Sequence, residues 1–175
     1  MEAQFAPVYG MQIDDFDRDG FPDALVVGNS YATEVSSGQY DASQGLLLKG
    51  DGKGDFSLIN TIEAGFVAKD DARAIARVNG VTHPFYLISN NDGTLQKYRH
   101  QKEQNWFLPG PYDASLQMRM TDGSQIRHEF YYGSSYLSQG SRAVAIPANV
   151  TEIKIIRYDG SVTEELVELS AQHSE

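Results

Sequence analysis

The sequence predicts an all-β protein, and three observations carry that expectation. Apolar residues fall in short runs or in strict alternation with polar ones, and no stretch repeats them at helical spacing over a helix's length. The runs are separated by turn dipeptides, among them Asp51-Gly52, Asn79-Gly80, Asp92-Gly93, Asp122-Gly123 and Asp159-Gly160. A hydrophobic share of 41% against 22% charged leaves enough apolar surface for a packed core in 175 residues.

Taken in order, residues 8–13 read as a strand that leads into an acidic loop. Residues 24–28 (Ala24-Leu25-Val26-Val27-Gly28) are apolar on both faces and read as a buried strand. Residues 29–43 are polar and rich in Ser, Tyr and Gly, as a long loop is. Residues 45–49 form the next strand, 50–54 a tight turn and 55–59 the return, which completes a four-stranded antiparallel unit.

A second unit follows. Residues 72–78 are a strand of small side chains, suited to close approach as near the axis of a propeller. Asn79-Gly80 reads as a hairpin-turn dipeptide, 84–88 as a buried strand, 91–93 as a turn and 94–98 as a third strand, with Trp106-Phe107-Leu108 completing the unit. Pro109-Gly110-Pro111 opens a linker over 109–113.

The pattern then changes. Leu116, Met118 and Met120 alternate with Gln117, Arg119 and Thr121, a half-buried strand. Asp122-Gly123 turns, and 126–132 run back. Residues 133–140 form a Ser/Tyr/Gly loop, and strands follow at 142–146, 150–158 and 162–169 before a polar tail. The expected division is 1–108 as blade-like sheets, 109–113 as linker, 114–170 as a small β-sandwich or barrel and 171–175 as tail.

The acidic loop carries the most chemistry. Asp15, Asp17 and Asp19 sit at alternate positions, Gly20 permits a sharp turn, and Asp23 follows. Calcium takes about 6–8 oxygen ligands at ~2.3–2.6 Å in flexible geometry, and this spacing can supply them. Asp15, Asp17 and Asp19 would face inward, Phe21 would offer its backbone carbonyl, and Asp23 would close the shell. Pro22 biases Phe21 toward extended backbone, which helps aim that carbonyl. The spacing matches the start of an EF-hand loop, but Val26 stands where the closing Glu belongs and the flanks are strands. A solvated acidic turn is the bland alternative, and mutual repulsion of the carboxylates argues against it.

The stretch Asp15-x-Asp17-x-Asp19-Gly20-x-x-Asp23-Ala24-Leu25-Val26-Val27-Gly28, with the later Gly50-Asp51-Gly52-x-Gly54-x-Phe56, resembles the FG-GAP or VCBS repeat, the calcium-loop repeat of many β-propellers. Thr121-Asp122-Gly123-Ser124, Tyr132-Gly133-Ser134-Ser135-Tyr136-Leu137-Ser138-Gln139 and Arg157-Tyr158-Asp159-Gly160 resemble the ASPIC/UnbV domain that often follows such repeats. The resemblance implies partial propeller-like blades plus a C-terminal β domain. It also implies an extracytoplasmic, non-enzymatic bacterial module, the C-terminal part of a longer protein, used in adhesion or in protein or glycan recognition. A closed propeller needs about four blades or more, and the chain has material for about two. The expected alternatives are a homodimer through exposed sheet edges, a terminal cap, or a propeller-type enzyme on polysaccharide.

Other features narrow the field. A net charge of −10 repels nucleic acid and anionic lipid. The absence of cysteine excludes disulfides and thiol chemistry. No basic and apolar leader pattern is present, and no apolar run approaches the ~20 residues that span a bilayer, so membrane insertion is not expected. Asp51 and Asp55 flank Gly52-Lys53-Gly54, where a hairpin turn is the simpler reading than a second cation site. Tyr131, Tyr132 and Tyr136 form an aromatic group that suits packing or sugar stacking. His83, His100, His128 and His173 show no metal-ligand spacing, no Gly-x-Ser-x-Gly elbow exists, and no catalytic residue is assigned.

Overall fold

The computed structural model describes residues 2–36, 38–80, 84–99, 105–133 and 140–166. The fold is all-β, built of several antiparallel sheets, none closed into a barrel. Two compact units divide the chain: residues 1–103 with 133–141, and residues 104–132 with 142–175.

In the first unit β1 (Val8–Asp14), β2 (Asp23–Gly28), β3 (Leu46–Gly50) and β4 (Phe56–Ile59) form a meander in sequence order. The apolar run of β2 is buried at every position, as its lack of alternation predicts. A second sheet of three strands holds β5 (Ala72–Val78), β6 (Phe85–Asn90) and β7 (Gln96–Tyr98). β5 packs on β1 and β2. Gly10 makes this approach close, because a Cβ there would lie 2.8 Å from the Ile75 backbone nitrogen. Leu25, Val27, Phe66, Ile75, Tyr86 and Ile88 meet in the core. The 29–43 loop is anchored by buried Asn29, whose amide donates to the carbonyls of Ser43, Lys69 and Asp70 and accepts from the Ser43 amide.

Among the described residues a 3-10 turn at Glu2–Gln4 and a short helix, α1 (Thr61–Ala64), depart from the all-strand expectation. The Asn60 side chain accepts from the Ile62 amide, and Gly65 ends the turn in the left-handed region at φ 62°. Four residues are too few to show a helical period in sequence.

The second unit contains β8 (Asn105–Phe107), β9 (Asp113–Met120), β10 (Gln125–Glu129), β11 (Val144–Ile146), β12 (Val150–Arg157) and β13 (Val162–Leu166). One sheet has the order β10-β9-β12-β13, the other pairs β11 with β8. Both contribute to one core, with Leu116, Met118, Val150 and Ile155 from the larger sheet and Val144 and Phe107 from the smaller. Its two tight hairpins use the same device. Asp122 and Asp159 each accept from the amide of the serine two residues on, and Gly123 and Gly160 take positive φ.

Several expectations change. The Trp106 strand does not complete the second blade: β8 pairs with β11, so it belongs to the second unit. By internal packing the two units meet at 103/104 in the chain. Asn79-Gly80 is not a two-residue turn, because Val78 pairs with Phe85 and the connection runs over 79–84. Residues 134–139, which carry Tyr136 and much of the ASPIC/UnbV resemblance, lie outside the described residues, as do His83, His100 and His173.

Candidate metal centre

The acidic loop spans 15–22, between Asp14 and Asp23, which pair across the β1–β2 hairpin. It winds around its first carboxylate. Asp15 accepts from the amides of Arg18 at 2.7 Å, Asp19 at 3.1 Å and Gly20 at 3.0 Å. Asp17 accepts from the Asp19 amide at 3.1 Å, and Asp19 from the Phe21 amide at 2.9 Å. Arg18 at φ 71° and Gly20 at φ 92° supply the reversals that this winding needs.

The result is convergence. Asp15, Asp17 and Asp19 each present a carboxylate oxygen, and these oxygens lie within 4.8 Å of one another. Two ligands on one calcium ion, each at about 2.4 Å, stand at most about 5 Å apart, so the spread suits a shared ion. The donors are all hard carboxylate oxygens, which suit a hard divalent cation.

Asp23 is placed differently. Its side chain is buried, and its oxygens accept from backbone amides: Phe16 at 2.8 Å, Asp17 at 3.4 Å and Gly50 at 2.9 Å. It stands outside the converging set and ties the start of the loop to the end of β3. Phe21 is half-exposed, with its ring against Gly52, where a Cβ would lie 2.2 Å from a ring carbon. Asp51 accepts from the Lys53 and Asp55 amides, which is hairpin chemistry.

Two features escaped the sequence reading. Lys49, on β3, reaches the loop and pairs with Asp17 and with Asp19, the latter at 2.7 Å. Its ammonium therefore holds two of the three converging carboxylates. Asp14 turns the other way: it accepts from Arg77 at 2.7 Å and from the Tyr86 hydroxyl at 2.7 Å. The Arg77 and Asp14 side chains are only 6% and 7% exposed. This buried pair joins β1, β5 and β6 under the loop.

Protonation follows the same division. Burial pushes the Asp15 and Asp23 carboxyls above the usual aspartate range, against the pull of their backbone donors. The hydrogen bond from Lys49 holds Asp19 below that range. Bonds to Asp17 and then Asp19 raise Lys49 in turn. The Tyr86 hydroxyl is driven far up, first by burial and then by the Asp14 charge.

The chain matches no protein-family model and no curated protein.

Proposed function

We propose that the chain is a calcium-stabilised, non-enzymatic binding or scaffold module that works outside the cytoplasm, of the FG-GAP/VCBS and ASPIC/UnbV kind, with a protein or glycan ligand. The observation that carries this reading is the convergence of Asp15, Asp17 and Asp19 at the β1–β2 turn. Calcium there would draw on those three carboxylates and strap the turn from the outside, while Asp23 straps it from within. The site has the form of a staple. The ion competes with Lys49 for Asp17 and Asp19, which sets a ceiling on affinity.

The test is a thermal melt of the intact chain in calcium and in chelator. A ligand held only by the folded state raises stability by RT ln(1 + [L]/Kd), about 2.7 kcal/mol at one hundred times Kd. The expected result is a calcium-dependent rise in Tm that Asp17→Asn removes. An unchanged melt, together with a silent Asp17→Asn, refutes the reading.

Self-association has its own observation in favour. β4 is an edge strand that leaves Phe56 and Leu58 half-exposed, and β13 is an edge strand with Val162 and Leu166 outward. Sedimentation equilibrium tests it: a monomer at tens of micromolar removes the dimer reading.

A further inference from the structure

The β1–β4 sheet is apolar on both faces, and the β5–β7 sheet covers one of them. Leu25 and Val27 of β2 and Leu47 of β3 point into the core shared with β5 and β6. The alternate positions point the other way. Register lines them up across the strands. Ile13 of β1, Ala24 of β2, Leu48 of β3 and Leu58 of β4 form one row, and Met11, Val26 and Leu46 form the next. Phe56 of β4 extends this face, its ring beside Gly50, where a Cβ would lie 3.4 Å from a ring carbon. A sheet buries an apolar face against another layer of structure. Here the second face stays open: Met11 is 51% exposed, Ile13 44%, Phe56 54% and Leu58 44%.

Charge and area both point to a second copy of the chain. The charged residues of these four strands are Asp14, Asp23 and Lys49, and all three take the inward positions, so the open face carries no charge. The whole chain carries −10. Two copies repel wherever that charge is exposed, and an uncharged face is where they meet at least cost. Half-exposed side chains of this size leave on the order of 100 Å² each open, so with the partly covered Leu46 and Leu48 the face offers roughly 500 Å² of apolar surface. Homodimer interfaces are about 65% apolar, so a face of this size implies roughly 750 Å² per copy, close to the ~800 Å² of a standard interface.

We infer that this face packs on the same face of a second copy, the two sheets stacked about 10 Å apart around a two-fold axis. Ile13, Leu48, Phe56 and Leu58 lie at the contact. The inference rests on the self-association reading and moves its contact from the sheet edges to a sheet face. Nothing in it requires the loop to hold calcium.

The experiment uses the intact chain in chelator, so its outcome is independent of the cation reading. Sedimentation equilibrium across the micromolar range gives the dissociation constant, and hydrogen exchange at the outward amides of β4 is followed in dilute and in concentrated protein. The expected result is a monomer–dimer equilibrium that tightens in molar salt, as screening removes the repulsion between two acidic chains. Ile13→Lys, on β1 at the opposite edge of the sheet from β4, should weaken the dimer at least tenfold. Met11→Lys should do the same, and it decides the matter where Ile13→Lys loses the circular dichroism of the folded chain. The outward β4 amides should exchange equally fast in both samples, because packing by a face forms no new strand pair. A monomer throughout overturns the proposal together with self-association. A dimer that molar salt dissociates, one unmoved by the lysine variants, or one that protects the β4 amides overturns the face contact alone.

Discussion

Replacing Asp23 by alanine separates the two roles that carboxylates play around the β1–β2 turn. Asp23 is fully buried, and its shorter bonds are to the amides of Phe16 at 2.8 Å and Gly50 at 2.9 Å. Removing the carboxylate leaves both donors without an acceptor. At about 1–3 kcal/mol for each buried unsatisfied donor, the loss is about 2–6 kcal/mol. An opposing effect reduces it. Burial already raises the Asp23 pKa, so removing the charge recovers part of its desolvation cost. The net expectation is about 2–3 kcal/mol, or a fall in Tm of the first unit of about 10–20 °C at ~4–8 °C per kcal/mol. The assay is a melt followed by far-ultraviolet circular dichroism, run in chelator and in calcium. Asp23→Ala should cost nearly the same in both. A cost below about 1 kcal/mol in chelator, with the calcium increment gone, would refute the placement of Asp23 as a backbone acceptor. It would return Asp23 to the ligand set.

Three further outcomes follow from the same geometry. Asp17→Asn should leave the melt in chelator almost unchanged, since Asp17 is exposed, but should weaken calcium binding at least tenfold by isothermal titration. Lys49→Gln should tighten calcium binding severalfold at low salt and lose that advantage in molar salt, because it removes a competing cation from Asp17 and Asp19. Tyr86→Phe bears on alkaline stability. The folded pKa of Tyr86 lies above its unfolded value near 10, so above pH 10 the unfolded chain releases a proton that the folded chain keeps. Stability is therefore present below pH 10 and lost above it, at about 1.4 kcal/mol per pH unit for one proton. Urea titrations at pH 9–11 should show a shallower loss in Tyr86→Phe, and parallel slopes would sink the argument.

Much of the fold is legible in the sequence, because much of it is local. β2 is found by its unbroken apolar run, β9 by the alternation of Leu116, Met118 and Met120, and the last two hairpins by Asp-Gly-Ser, whose aspartates make the expected turn bonds. Errors appear where pairing is remote. Trp106-Phe107 reads as a strand in isolation, but its partner at Val144–Ile146 lies far along the chain, and no local pattern names it. Asn79-Gly80 is a strong hairpin signal that a longer connection overrides, since strand register is decided by side-chain burial on β5 and β6.

The site divides along the same line. Asp15, Asp17 and Asp19 converge because alternate spacing and Gly20 are local instructions, and local instructions can be read. Which carboxylate serves the backbone and which remains for a cation depends on residues that approach from elsewhere. Gly50 arrives 27 positions after Asp23 and takes one of its oxygens. Lys49 arrives 32 positions after Asp17, and Arg77 comes 63 after Asp14. In sequence Asp14 and Asp15 are equivalent neighbours; in the fold one lies in a buried ion pair and the other organises the loop.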